Sequence, residues 1–357
     1  MNFPLQKYKR GEEYCTFFDI QNVFQNSYIS ERLGEFATRL VGDLSYAKAE
    51  KWLNNQISDK LITGASIRNI VVEKANEIST KQYNEVTENQ AIPIPKLAKT
   101  VNIYSKRKGE ILLFEDGILT KGQKYFRDSK NRPAESKEGH KKRPTTDVAL
   151  CPNLDGSHTY VIGGIGEHSI PLSQAIRHHM AIEFQNSKSA LKLVTITDGA
   201  SQITTHYKEA FGVNPIRILD WYHLKKKVNE LCIQICYSKK LRQIAVKAIL
   251  GHLWLGNQKE AIEYLNTEVE VRNEFKFNEL VNYLTKHKEA LIDYKTRKEL
   301  GKTIGSGCIE TGVKQIVAVR QKARGMAWTP KGSSALAILK THELNGDWDK
   351  LWSFNLN

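Results

Sequence analysis

Three carboxylates in this chain stand where acids are unusual. Asp116 in "LLFEDGI" and Asp198 in "VTITDGA" each close an apolar, strand-like run, and each precedes a glycine. Ligand-binding groups collect at the carboxyl ends of parallel strands, and a following glycine lets a substrate backbone come close. Asp-Gly is equally a turn dipeptide, so either residue alone reads as a turn. Glu310 is the third. It rides on a helix opened by the glycine-rich "GKTIGSGCIE", and no further Asp or Glu occurs before Glu343, while Lys314, Arg320, Lys322, Arg324, Lys331 and Lys340 all do. Two aspartates and a glutamate from separate elements suit a hard divalent cation, Mg²⁺ or Mn²⁺. Two such ions activate a water or a 3′-hydroxyl for in-line phosphoryl transfer.

A second constellation is Asp220 with His223 in "ILDWYH". The pair reads as mutually orienting and substrate-facing, or as a capping aspartate beside a satisfied histidine. Other chemistries lack their motifs. There is no G-x-S-x-G elbow for acyl transfer, and the glycine-rich turn lacks the G-x-x-x-x-G-K-[ST] order of a phosphate loop. The five cysteines are scattered with no CxxC pair, against a disulfide framework or a zinc knuckle. Cys232 and Cys236 share a helical face among apolar neighbours and read as core.

Elements that would position the acids follow from periodicity. "EILLFEDG", "TTDVALCPN" and "SHTYVIGGIG" read as three strands, the last two joined by the turn "LDGS". Helical "PLSQAIRHHMAIEFQ", strand "LKLVTITDGA", helix "SQITTHYKEAF" and strand "PIRILDWYH" follow, the order of a mixed α/β sheet. From Leu224 to about Thr303 apolar residues recur at three- and four-residue intervals, and the chain reads as wholly helical. Upstream, "SYAKAEKWLNNQ" and a helix starting at Ser66 suit a helix-turn-helix or a plain packed pair. The prolines of "ENQAIPIPKLAKT" place a boundary between residues 90 and 100. The expected organisation is an N-terminal helical region 1–98, a core 99–223, an all-helical segment 224–303, and a final core segment 304–357.

Composition names the partner class. The 357 residues carry 53 Lys and Arg against 39 Asp and Glu, a net charge of +14. That favours a polyanion. Residues 121 to 143 alone hold nine basic residues and three acids, a solvated loop compatible with tracking a phosphate backbone. No run of about 18 apolar residues suggests a membrane span. The N-terminus lacks a signal-peptide core, so a cytoplasmic location is expected.

Taken in order, "EDG", "TDGA", "ILDWYHLKKKV", "GHLWLGNQKEAIEYL", "IGSGCIETGVKQIVAVRQKARGMAW" and "NGDWDKLW" resemble the DDE transposases of bacterial insertion sequences. The likeness is to the Kra type, itself similar to Mutator-like transposases, and it spans roughly residues 100 to 352. It implies an RNase H-like fold interrupted by an all-helical insertion, with Asp116, Asp198 and Glu310 as a triad holding two Mg²⁺ or Mn²⁺ ions; Glu115 is the alternative first acid. It implies Asp220 and His223 as an auxiliary D-x-x-H pair. On a straight helix, Glu310, Lys314, Gln321 and Arg324 share one stripe beside an apolar one, so Lys314, Gln321 and Arg324, with Arg320 and Lys322, are expected to contact DNA. The implied activity is hydrolysis and strand transfer on double-stranded element ends and target DNA by a dimer or larger assembly. The rivals are a catalytically inactive or domesticated DNA-binding derivative and an RNase H-like nuclease that cuts without joining.

Overall fold

The computed structural model describes residues 29–57, 62–106, 109–123 and 143–352, and the backbone of 7–10 and 13–16. Most of the basic segment, 124–142, the helix connector 58–61 and the tail 353–357 lie outside the described residues. The chain divides into two compact units, Met1–Val71 with Asp349–Asn357, and Val72–Trp348.

In the smaller unit, strands β1 (Lys7–Arg10) and β2 (Glu13–Thr16) pair antiparallel. Helix α1 (Glu31–Asp43) starts at Ser30, whose Oγ accepts the Leu33 amide at 3.2 Å, a serine cap that satisfies one of the unpaired first-turn donors. Helix α2 is Tyr46–Ile57, and α3 is Gly64–Glu88. Asn54 brackets Ile62, accepting its N–H and donating to its carbonyl, and Glu50 accepts the Gly64 amide at 2.8 Å. The expected helix pair is therefore present, but its second member runs 25 residues. The unit boundary falls within α3. The proline-bearing segment downstream is not a loose tether, because Leu97 bridges to Leu191 and the Ala98 amide donates to the Leu191 carbonyl.

A five-stranded mixed sheet organises the larger unit. Its strands are β3 (Ile111–Leu119), β4 (Thr145–Pro152), β5 (His158–Ile162), β6 (Leu193–Thr197) and β7 (Ile216–Leu219). Their spatial order is β5-β4-β3-β6-β7, antiparallel across β5, β4 and β3, parallel from β3 to β6 and β7. The β4–β5 connection closes as expected, with Gly156 at φ 89° and the Asn153 amide donating to Ser157.

Both faces are covered by helices. Leu113, Ala149, Cys151 and Leu193 face α4 (Leu172–Phe184) and α5 (Ser201–Phe211) in one buried cluster. The other face packs against α11 (Gly307–Val313) and α13 (Pro330–Leu344). Buried on both sides, β6 carries Leu193 to Thr197 without one exposed residue, the run expected of an interior strand.

The segment after β7 is helical: α6 (Trp221–Ile235), α7 (Lys239–Trp254), α8 (Gln258–Glu268), α9 (Glu274–Lys286) and the short α10 (Tyr294–Glu299). Two features tie it to the sheet. Tyr294 donates to the Leu219 carbonyl at 2.7 Å, with Trp221 and Trp254 around its ring. Arg297, fully buried, grips Glu110 through two bonds of 2.6 and 3.1 Å, and Lys302 adds a third at 2.7 Å. Cys232 and Cys236 are core residues, as expected.

Candidate active site

Parallel pairing places the aspartates. Phe114 pairs with Ile196 and Thr197 with Leu219, so Asp116 and Asp198 each stand two residues past a matched pair, on the same face. Asp220 is the residue after Leu219 on the next strand. Three adjacent strands thus deliver three aspartates to one carboxyl edge, the place where α/β sheets bind ligands.

The two Asp-Gly pairs differ. Gly199, at φ 90°, is a true turn, and its missing Cβ leaves room for the His287 ring, which would otherwise be 2.8 Å away. Gly117 is no turn. Strand β3 continues through Asp116 to Leu119 in antiparallel register with β4, so the expectation that the strand ends at Asp116 is corrected. There Gly117 makes room for the Asp147 carboxylate, 2.3 Å from where a Cβ would sit.

Strand alternation also separates Asp116 from its neighbour. Glu115 points to the opposite face, is buried, and bonds His206 Nδ1 at 2.5 Å. Asp116 feels the charges of Asp198, His223 and Glu310. Burial raises its carboxyl above the ordinary range; the Gly117 amide opposes this, and the Asp198 and Glu310 charges add to it. Such a carboxyl, crowded by like charges, is relieved by a cation.

Asp220 plays a different part from the other two. It caps α6, its Oδ1 accepting the Tyr222 and His223 amides at 2.5 and 3.1 Å. Its Oδ2 accepts the Ser306 amide at 2.6 Å and the Ser306 hydroxyl in a very short bond. Burial raises its pKa, but the His223 and Ser306 contacts outweigh that and hold it at about 2. Asp220 is thereby the clamp on the turn that opens α11.

His223 lies between the clamp and Glu310, its Nδ1 at 3.4 Å from Asp220 Oδ2 and 3.5 Å from Glu310 Oε1. Asp220 raises its pKa, against partial burial, and Glu310 and Asp198 add to the rise. One ligand atom from each of Asp220, His223 and Glu310 lies within 4.8 Å of the others, a cluster that could bind a metal ion. Because the Asp220 oxygens already accept several hydrogen bonds, the donors it leaves open are His223 and the half-exposed Glu310. Asp116 and Asp198 are not in that cluster, though Asp116 feels the charge of Glu310 and His223 that of Asp198; the carboxylates around it are of the kind that suits a hard divalent cation.

The expected basic stripe is corrected in part. Residues Lys314–Ala318 form a π-turn between α11 and α12 (Val319–Gln321). The inserted turn rotates everything after it relative to Glu310. Lys314, Lys322 and Arg324 remain exposed. Gln321 turns inward, donating to the Ser333 carbonyl at 2.9 Å and accepting the Ser333 hydroxyl at 2.5 Å. Arg320 is buried with its guanidinium 4.8 Å from the Trp328 ring. Neither side chain is available to a phosphate; both hold the loop after α12.

Sequence reasoning missed Ser306, Tyr283 and His287. Ser306 lies within the quoted "IGSG", and a serine just ahead of a helix was a visible capping signal. His287, lowered to about 4 by burial, packs on Gly199, and Tyr283 is pushed up to about 12 by burial and by the Asp198 and Asp220 charges. Nothing near them in sequence marks them.

A family model for the uncharacterised protein family UPF0236 matches residues 22–351. The chain belongs to that family. A search of curated proteins returns no match. For this UPF0236 member, no described helix is long and apolar enough to cross a membrane.

Proposed function

We propose that this protein is a DDE-type DNA transposase with an RNase H-like core. The observation that carries the proposal is that Asp116 on β3 lies in electrostatic range of both Asp198, at the end of β6, and Glu310 on α11. The sheet order, with the first core strand central, the antiparallel β4–β5 hairpin on one side and two parallel strands on the other, supports the fold reading. The helices between β7 and α11 are the insertion that this reading requires.

In this account Asp116, Asp198 and Glu310 hold two Mg²⁺ or Mn²⁺ ions. When bound, such ions lower the pKa of a water or 3′-hydroxyl and neutralise the leaving oxygen of an in-line displacement. Asp220 fixes the turn ahead of Glu310 through Ser306. His223, held near Glu310, orients that carboxylate and, when protonated, offsets its charge. Lys314, Lys322 and Arg324 meet backbone phosphates, and α2 with α3 recognises the element ends. Bringing two DNA ends together calls for a dimer or larger assembly. The cytoplasm, at the bacterial nucleoid, is the corresponding location.

The test is strand transfer of labelled duplexes taken from the DNA flanking the coding sequence, with Mg²⁺ or Mn²⁺. Joined products that vanish in Asp198→Ala and Glu310→Ala support the proposal. Cut but unjoined products would favour a nuclease, and no reaction in any divalent cation an inactive DNA-binding derivative.

A further inference from the structure

A cavity of about 530 Å³ opens beside the acids on the same face of the sheet. Leu112, Phe114 and Leu150 form an apolar floor, with Tyr222 and Lys298 at the rim and Cys308 in the wall. The cavity adjoins the acid site along β3, where Phe114 precedes Asp116 by two residues on one strand face, about 7 Å; Cys308, two residues before Glu310 on α11, lines it from a different side of that helix than Glu310 occupies. Gly305, in the cavity lining, would carry a Cβ 2.5 Å from the Tyr222 ring and 3.5 Å from Asp220 Oδ1. Only glycine there leaves the Tyr222 ring in place, 57% exposed at the mouth of the cavity.

We propose that this cavity receives one unstacked nucleobase of the DNA strand whose phosphate lies at Asp116, Asp198 and Glu310. The inference rests on the phosphodiester reading of the acid site. A nucleobase is a flat aromatic ring with stacking faces and polar edges, on an anionic tether. The apolar floor suits its ring, the exposed Tyr222 offers a stacking face, and Lys298, whose ammonium lies 5.8 Å from the Trp254 ring, supplies positive charge for the tether. Lys302, also at the rim, is already paired with Glu110. A base inside a duplex stack has no access to such a recess, so the base must leave the stack, and stacking on an aromatic ring tolerates any base.

The experiment uses the thiol in the cavity wall. Cys151, Cys232 and Cys236 are buried and Cys308 is exposed, so a Cys15→Ser background isolates Cys308. Its alkylation rate by a maleimide is followed, with Ca²⁺ in place of Mg²⁺ or Mn²⁺, against a single-stranded thymidine oligonucleotide and an abasic strand of equal length and charge. The expected result is at least about fivefold slower alkylation with the base-bearing strand than with the abasic one, both at saturation. In parallel, Cys308→Trp, which narrows the cavity, should weaken binding of the base-bearing strand about tenfold, the scale of one lost stacking contact, and leave the abasic strand unchanged. Equal protection by both strands, or equal weakening of both by Cys308→Trp, overturns the inference and leaves the DNA reading standing. If neither strand binds, the DNA reading falls and the inference with it.

Discussion

Asp220 and Ser306 are joined twice. Asp220 Oδ2 takes both the Ser306 amide and its hydroxyl, across 86 residues of sequence, while the same hydroxyl lies 3.3 Å from Glu310 Oε1. The end of β7 and the start of α11 are therefore locked together by an acid that is itself fully buried. This sets Asp220, which builds the site, apart from Asp116, Asp198 and Glu310, the proposed metal ligands.

The division predicts unequal stability effects. Asp220→Ala strips the acceptor from the buried Ser306 amide, at about 1–3 kcal/mol, and removes the cap of α6, at about 0.5–2 kcal/mol, so the loss is about 3 kcal/mol. Thermal unfolding should shift down by roughly 5–10 °C. Glu310→Ala, at a side chain 45% exposed, should leave the melting temperature nearly unchanged. Equal shifts for the two variants would remove the distinction.

Crowded carboxylates are unfavourable without a counterion. Asp198→Asn is expected to raise the metal-free melting temperature, a gain of about 0.5–1 kcal/mol of the kind found when a functional site is relaxed. Wild-type protein should gain about 2.7 kcal/mol from Mn²⁺ at a hundred times its dissociation constant, and the variant should lose most of that gain. Scanning calorimetry with and without Mn²⁺ reads both; an unchanged Mn²⁺ response in the variant counts against the triad.

The Glu110, Arg297 and Lys302 cluster sets an acid limit. Burial pushes the Glu110 carboxyl up, but the two cations outweigh it and leave the pKa lowered. A lowered folded pKa contributes stability that is present above the ordinary glutamate value of about 4.3 and is lost as pH falls through the folded one. Glu110→Gln should therefore be clearly less stable than wild type at pH 7, with the gap narrowing as pH drops below about 4. Arg297→Met, which strands the buried Glu110 charge, should cost about 3–5 kcal/mol at neutral pH. Urea titrations across pH check both, and a gap that stays constant down to pH 3 would contradict the assignment.

Much of this architecture is legible in the sequence, for local reasons. The hairpin "LDGS", the unbroken apolar run of β6 and the Asp-Gly pairs all carry their own signal, and the acids they mark meet at one edge. What stays hidden depends on packing. The π-turn at Lys314–Ala318 adds no unusual residue; it lets Ile316 and Val317 bury together, and with it Gln321 swings from the expected DNA face into the core. Gly117 looks like a turn because the carboxylate it accommodates, Asp147, comes from a different strand. His287 reaches Gly199 only through the helical segment, and no local pattern announces it.

That rotation gives a sharp test of the basic surface. Lys322→Ala and Arg324→Ala should each lower the slope of log affinity against log salt for duplex DNA by about 0.9, one phosphate contact apiece. Gln321→Ala should leave the slope alone and lower the melting temperature, because it breaks two buried bonds to Ser333. A reduced slope for Gln321→Ala would restore it to the DNA face.

The most direct measurement is strand transfer itself, with duplexes from the flanking DNA and Mg²⁺ or Mn²⁺, comparing wild type with Asp116→Asn, Asp198→Asn and Glu310→Gln. Joined products from the wild type, falling by at least about a hundredfold in each variant while DNA binding persists, are what the account predicts. Variants that join strands as well as the wild type would contradict it.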